Sequence, residues 1–389
     1  MSAVRGPMFS DFDRFAMQRA LTLATRGLET TDPNPRVGCV IARSGRIVGE
    51  GWHERAGDAH AEVRALRAAG DQAAGATAYV TLEPCNHQGR TPPCVAALTA
   101  ARIARVVYAI ADPNPLVNGQ GAHALRLAGV HVEAGLNADE ARELNAGFIK
   151  RMQQGRPWMR LKLAMSLDGR TALANGESRW ITSEAAREDV QRWRARSSAI
   201  LSGVGTVLAD DPRLNVRLPT EDGRERRQPL RAVLDSRLRT PPTARLFDDG
   251  GEVLIFTGDG KLEEARLGTL STRGARIESL PLVDGWLSLG AVADRLGELE
   301  ANEVLIEAGP TLAGELLRQG LVDELLLYMA PKLLGPTGRA LIAMPELAAL
   351  EDAPGFTVLD VQRVGEDLRL RLRPGPAAVP APPGNAATP

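Results

Sequence analysis

The chain is 389 residues long, which at roughly 100–200 residues per domain favours two domains over one. Hydrophobic residues make up 44% and charged residues 24%, and 47 Lys+Arg against 48 Asp+Glu leave a net charge of −1. That balance excludes a generally basic surface for nucleic acid, though not a local patch. No apolar run approaches the ~18 residues of a membrane span, and the acid-bearing stretch 1–17 has no secretory core. Three cysteines cannot build a disulfide framework, so any pairing among them reads as metal binding or catalysis. A cytoplasmic protein is expected.

Ser10 is placed to cap a helix whose apolar side runs through Phe12, Phe15, Ala16 and Leu23. Residues 37–42 and 46–51, joined by Ser44-Gly45, read as a β-hairpin. Residues 60–70 read as a helix stopped by Gly70, 77–82 as a strand, and 93–101 as a helix with Pro93 in its opening turn. A strand at 105–110 and a helix through 121–129 follow. This alternation predicts a three-layer α/β/α domain with a largely parallel sheet. After a break within 147–157, strands are predicted at 160–166, 198–203, 231–236, 252–258, 303–309 and 324–331, with helices at 183–197 and 311–319. That is again α/β, with a mixed sheet. The closing segment 367–373 alternates strictly and predicts an edge or antiparallel strand with its arginines facing water. The expected division is 1–150, 151–374 and a Pro/Ala-rich, disordered tail at 375–389. Chemistry marks the division better than charge does: all three Cys and all five His precede residue 132, and four of the five Trp follow residue 150.

The strongest local signal is His60-Ala61-Glu62 followed by Pro84-Cys85 and, nine positions later, Cys94. One imidazole and two thiolates supply three ligands to Zn²⁺ and leave its fourth tetrahedral position open for water. His60 and Cys94 fall near predicted helix N-termini, where backbone N–H groups and the macrodipole favour negative charge. Glu62 stands close enough to carry a proton from that water to a leaving amine without itself ligating. Zinc deaminases share this H-x-E and P-C pattern. His87 is the alternative fourth ligand, which would make the site structural, and Cys39 reads as core packing. In Asp32-Pro33-Asn34-Pro35 the prolines stiffen the chain and fix where the Asn34 amide points, with a donor and an acceptor suited to a pyrimidine edge.

With these residues the chain resembles the cytidine-deaminase superfamily. The eight residues between Cys85 and Cys94, together with DPNPLVNGQG at 112–121, resemble its riboflavin-biosynthesis branch of bifunctional deaminase–reductases. The resemblance implies a cytidine-deaminase-like domain in which His60, Cys85 and Cys94 hold zinc and Glu62 shuttles the proton. It also implies a free phosphorylated diaminopyrimidinone as substrate rather than nucleic acid, and assembly into homo-oligomers; with no long apolar run, no membrane partner is expected.

The second module has no G-x-G-x-x-G: Gly203-Val204-Gly205 begins like one, but no glycine stands at 208. Glu307-Ala308-Gly309-Pro310-Thr311 runs from a strand into a helix whose free N–H groups could hold a phosphate. Segments 162–169, 176–182, 203–217, 234–236 and 307–317 resemble, in order, the reductase half of the same family. That half is dihydrofolate-reductase-like and uses NADPH. The resemblance implies cofactor contacts at Ala164, Trp180, Thr206, Asp210, Ser236, Gly309, Pro310, Thr311, Leu312, Ala313, Gly314 and Glu315. It implies substrate contacts at Ser178, Arg194, Leu214, Arg217 and Glu307, with the arginines suited to a phosphate. Lys162 and Glu307 are the candidates for polar catalytic roles. Two rival readings carry their own signatures: an RNA deaminase would show a basic groove, against a first module of 16 Lys+Arg and 15 Asp+Glu, and a zinc-stabilised interaction protein would show a fourth protein ligand.

Overall fold

The computed structural model describes residues 9–86, 92–115, 117–219, 226–260 and 263–375. The chain folds as two compact units, Met1–Arg156 with Glu300–Asn302, and Pro157–Leu299 with Glu303–Pro389. His87 and the tail beyond 375 lie outside the described residues. Among the described residues no helix is long and apolar enough to cross a membrane.

The first unit runs α1 (Asp11–Ala24), β1 (Gly38–Arg43), β2 (Arg46–Trp52), α2 (Ala61–Ala69), β3 (Thr77–Val80), α3 (Cys94–Ala100), β4 (Arg105–Tyr108), α4 (Gln120–Leu127), β5 (His131–Ala134), α5 (Ala138–Leu144) and α6 (Ala146–Gln154). Ser10 caps α1 in a capping box: its Oγ accepts from the Asp13 N–H at 3.1 Å while the Asp13 carboxylate accepts from the Ser10 N–H at 2.8 Å. The sheet order is β2-β1-β3-β4-β5. It is mixed rather than largely parallel, because β1 pairs antiparallel with both β2 and β3 and only β3, β4 and β5 run parallel. The period of two sorts side chains onto two cores. Cys39, Ile41, Ala78, Val80 and Val106 pack with α2, α3 and α4, whereas Val40, Tyr79 and Val107 pack with α1 and α5. Helices therefore cover both faces, giving three layers, and Cys39 is core.

The second unit runs β6 (Trp158–Ser166), β7 (Arg170–Ala172), α7 (Glu184–Arg196), β8 (Ala199–Gly203), α8 (Val204–Asp210), β9 (Leu230–Leu234), β10 (Val253–Gly258), α9 (Glu264–Thr272), β11 (Ala275–Leu280), β12 (Leu282–Val283) and β13 (Trp286–Leu287). It continues with α10 (Leu289–Glu298), β14 (Glu303–Glu307), α11 (Pro310–Arg318), β15 (Glu324–Ala330), β16 (Arg339–Ala340), β17 (Phe356–Val364) and β18 (Asp367–Pro374). Nine strands form one sheet in the order β11-β10-β9-β8-β14-β6-β15-β18-β17. It is parallel from β11 through β15 and antiparallel from there to β17. The closing segment is thus antiparallel, but β17 takes the edge, and two of the arginines expected to face water do not. Arg369 pairs with Asp189 at 3.0 Å and Arg371 with Glu324 at 2.7 Å, both over the Trp193 ring. Buried carboxylates on the same face draw these guanidinia inward, where they also stack on an aromatic. Arg160 completes this cluster, bonded to Glu303 at 2.8 Å and Glu324 at 3.0 Å near the N-terminal ends of the parallel strands. The opposite, C-terminal ends are left for ligands.

Candidate functional site

In the first unit the close packing of α2 on β2 sets where His60, one of the candidate metal ligands, stands. A Cβ at Gly51 would stand 2.5 Å from the Ala61 carbonyl oxygen, so only glycine lets the start of α2 approach the strand. His60 is the N-cap of α2, with extended backbone and no side-chain capping bond, which leaves its imidazole to point elsewhere. Cys94 opens α3, and Cys85 follows β3. The His60 Nδ1 lies 3.2 Å from the Cys94 Sγ and 3.5 Å from the Cys85 Sγ, and the Cys94 N–H donates to the Cys85 Sγ at 3.4 Å. The three ligand atoms all lie within 4.8 Å of one another, and both cysteines are free thiols. A borderline-soft donor set of one imidazole and two thiols, converging from two helix starts, fits zinc with one position to spare. Hydrogen bonds from the Cys94 thiol and the His60 imidazole hold the Cys85 thiol down to about 4. Cys94 is pushed up by that same neighbour. Glu62, in the first turn of α2, is 3% exposed, and burial pushes its carboxyl above the usual range.

Two further residues of this centre stand outside its sequence motif. His53 is buried on the far side of Asn34, whose Nδ2 donates to the His53 Nε2 at 3.0 Å. The other ring nitrogen faces the Ala59 carbonyl at 3.4 Å, and a carbonyl only accepts, so Nδ1 carries the proton and Nε2 is the acceptor. Burial lowers the His53 pKa, which keeps it neutral. Its ring stands edge-on to that of His60 with centroids 5.4 Å apart. His53 thus links the Asn34 amide to His60, one of the candidate metal ligands. Its position seven residues ahead of His60 was the one available clue.

Glu83, two residues before Cys85, is 4% exposed and accepts three backbone N–H groups: from Asp112 at 3.1 Å, Gly119 at 3.0 Å and Ala122 at 3.0 Å. A Cβ at Gly121 would stand 1.9 Å from the Pro84 carbonyl oxygen, so α4 begins directly against the Pro84-Cys85 turn. Glu83→Ala would strand three N–H donors, each worth about 1–3 kcal/mol when buried without a partner. The expected result is a lower unfolding midpoint together with faster zinc loss to a chelator. Glu83→Gln should recover part of both, because its one carbonyl oxygen still accepts. An alanine variant that keeps wild-type zinc retention would refute this anchoring role.

In the second unit a cavity of about 1940 Å³ opens at the C-terminal ends of the parallel strands. A pocket for one small ligand is typically ~300–1,000 Å³, so there is space for a dinucleotide and a second molecule. Lys162 on β6 and Glu307 at the end of β14 are neighbours across the ladder. The Arg194 guanidinium grips both Glu307 oxygens, at 2.6 and 2.8 Å, and donates to the Asn215 carbonyl at 3.0 Å. Burial alone would raise Glu307, but Arg194 outweighs it and holds the carboxyl below its ordinary range. Burial lowers the Lys162 ammonium.

The cavity wall includes Lys162, Ala164, Ser178, Trp180, Arg194, Thr206, Asp210, Arg217, Ser236, Glu307, Gly309, Pro310, Thr311, Leu312, Gly314 and Glu315. Leu214 and Ala313 are not on it; they are 1% and 0% exposed, and their side chains serve the core. Trp180 is 64% exposed on the wall, with the Arg187 guanidinium 4.4 Å above its ring, while Trp193 is buried. Because Arg194 is committed to Glu307, the arginine of the expected pair left open to the cavity is Arg217, whose Nη1 donates to the Asn215 side chain at 2.6 Å. Gly309 has open space around its missing Cβ at the start of α11, a fit for a close-lying phosphate.

Comparison with known proteins agrees with both halves. Residues 10–110 match the cytidine and deoxycytidylate deaminase zinc-binding region, and residues 157–370 match the RibD C-terminal domain. The riboflavin biosynthesis protein RibD of Escherichia coli is 51% identical over 368 residues, covering 92% of this chain and 99% of that protein. RibD of Haemophilus influenzae is 47% identical, covering 94% and 98%. The solved structure of Acinetobacter baumannii RibD superposes with a TM-score of 0.86 at 46% identity, covering 94% of this chain and 99% of that one. A Thermotoga maritima diaminohydroxyphosphoribosylaminopyrimidine deaminase/5-amino-6-(5-phosphoribosylamino)uracil reductase does so with 0.81 at 33%, over the same shares. With a zinc-type donor set in one unit, a nucleotide-sized cavity in the other, and this likeness along nearly its whole length, the chain belongs to the RibD family of bifunctional deaminase–reductases of riboflavin biosynthesis.

Proposed function

We propose that the first unit deaminates 2,5-diamino-6-(5-phosphoribosylamino)pyrimidin-4(3H)-one, and that the second uses NADPH to reduce its ribosyl group, giving 5-amino-6-(5-phosphoribitylamino)uracil. The observation that carries the reading is the convergence of His60, Cys85 and Cys94 beside a buried Glu62, in a chain that also holds the Lys162, Glu307 and Arg194 cluster. Zinc bound to the three ligands supplies the Lewis acidity that makes a water nucleophilic at neutral pH. Glu62 accepts the proton of that water as the new C–O bond forms at the amine-bearing ring carbon. It passes that proton to the adjacent ring nitrogen and then carries the remaining hydroxyl proton to the amine, which leaves as ammonia as the C–N bond breaks and the C=O bond forms. Asn34, held by His53, presents its amide to the ring edge.

Bound NADPH supplies the hydride for the second step. Glu307, kept ionised by Arg194, stands opposite Lys162 across the ladder and favours its charged form; the Lys162 ammonium gives its proton to the ring oxygen of the sugar as the C–O ring bond breaks and the adjoining anomeric carbon takes the hydride. Arg217 and Ser178 lie on the wall where the substrate phosphate would sit, and the Gly309–Glu315 turn takes the cofactor. The same reading makes the protein a cytoplasmic homo-oligomer, in a compartment that keeps its three thiols reduced.

The test follows ammonia and nicotinamide absorbance separately. Purified protein given the diaminopyrimidine phosphate should release ammonia with or without NADPH and oxidise NADPH only afterwards. Zinc removal by a chelator should abolish ammonia release while leaving NADPH oxidation on the deaminated pyrimidine intact. Ammonia release that persists in zinc-free protein would overturn the first half of the reading.

A further inference from the structure

We propose that Arg239 and Arg245, with Trp286, form the subsite for the adenosine 2′-phosphate of the dinucleotide and so set the preference for NADPH over NADH. The inference rests on the reading of the second unit as a nicotinamide-dependent reductase. Three features of the cavity lead to it.

The first is position. The reacting groups Lys162 and Glu307 stand on β6 and β14, while Arg239 and Arg245 follow β9. In the order β9-β8-β14-β6 three strand spacings separate β9 from β6, about 14 Å at roughly 4.8 Å each. Both arginines line the same cavity as the reacting groups. They therefore occupy the end that an extended dinucleotide reaches with its adenosine half.

The second is electrostatic. Most arginines on the wall are already engaged. Arg194, Arg213 and Arg318 pair with carboxylates, Arg179 and Arg187 donate to backbone carbonyls, and Arg217, which also donates to Asn215, is the one assigned above to the substrate phosphate. Arg239 and Arg245 are exposed, and among the described residues neither guanidinium has an acidic or other acceptor. Arg339, also without a side-chain partner, lies on β16 beside β7, close in sequence to the opposite, β6 end. Two uncompensated guanidinia are the donors a phosphate dianion requires.

The third is that the pair is held in place beside an aromatic face. The buried Asp235 carboxylate accepts from the Thr240 N–H at 2.6 Å and its hydroxyl at 2.7 Å, which ties down the turn carrying Arg239. Leu238 and Leu246, adjacent in sequence to the two arginines, are buried in one cluster with Val204 and Val207 of α8. The Arg245 N–H is anchored on the Asp211 carboxylate at 2.8 Å. Trp286, 71% exposed, lines the cavity from the β12–β13 hairpin, whose Leu282 packs over Gly258 at the end of β10, the neighbour of β9. An aromatic face for a purine and two guanidinia for a phosphate thus stand at one end of the cavity.

The test uses the full chain with two readouts. In calorimetry, adenosine 2′,5′-bisphosphate should bind the wild type at least tenfold more tightly than adenosine 5′-monophosphate, and Arg239→Ala/Arg245→Ala should erase that difference. In the reductase assay, the ratio of kcat/KM for NADPH to that for NADH should fall about 10–100-fold in each single variant, the loss of one charge-assisted contact. Thermal midpoints within a few degrees of wild type would show that the variants fold. An unchanged ratio in the double variant, or equal binding of the two adenosine phosphates by the wild type, overturns the inference. Tight bisphosphate binding without reduction of any pyrimidine would instead uphold the subsite and overturn the reductase reading.

Discussion

Glu62→Gln is expected to lower ammonia release by about 10²–10⁴-fold, the usual contribution of a positioned acid–base group, while zinc content stays at the wild-type level. The amide is isosteric and keeps the fit inside a site where Glu62 is 3% exposed. It cannot, however, accept a proton from water and release it to an amine. Loss of that one function raises the barrier by about 3–5 kcal/mol. Because Glu62 stands in the first turn of α2 and is not one of the three converging ligands, metal analysis should find the ion retained. A glutamine variant with full zinc and full ammonia release would remove Glu62 from the mechanism.

Arg194→Met is expected to destabilise the second unit by about 3–5 kcal/mol, the cost of leaving a buried charge without its partner, and to abolish reduction. Arg194 is 8% exposed, its contacts with Glu307 are bidentate, and burial would otherwise push that carboxyl up. The pH dependence has a definite sign. Glu307 is held below its ordinary value of 4.5 in the folded chain. Its pairing therefore stabilises the wild type above that value and is lost as pH falls through the lower, folded one. In the variant, burial without Arg194 raises the carboxyl, so acidification relieves the orphaned charge. The stability gap between wild type and Arg194→Met should narrow as pH drops. Adding Glu307→Gln to the variant should recover much of the loss at neutral pH. Denaturant titrations at several pH values measure both, and a gap that widens on acidification would show that Glu307 is not the group responsible.

Much of this protein is written in local pattern. Short apolar runs bounded by turn residues mark the β1–β2 hairpin and the parallel strands of the second sheet, and strict alternation marks 367–373. The spacing from His60 to Cys94 announces a metal, since an imidazole and a thiol at two helix starts with a second thiol between them in sequence have few other uses. The residues that short-motif resemblance assigns to a reductase site line one cavity in the structure, apart from Leu214 and Ala313. What local pattern lacks is partnership across the chain. His53 becomes a site residue only because folding brings it to Asn34, 19 positions away, and Glu83 only because Asp112, Gly119 and Ala122 turn their N–H groups toward it.

Strand order follows the same division. The alternation of strands and helices is a property of each segment, but that β1 lies between β2 and β3, or that β18 is flanked by β15 and β17, depends on which apolar faces close over one another. Arg369 and Arg371 look like solvent-facing residues in an alternating strand until Asp189, Glu324 and Trp193 arrive beneath them. Chemistry that resides in a residue type is thus decided by the order of amino acids alone. Orientation, protonation and pairing wait for tertiary structure, because they depend on the dielectric and the donors supplied by segments far away in the chain.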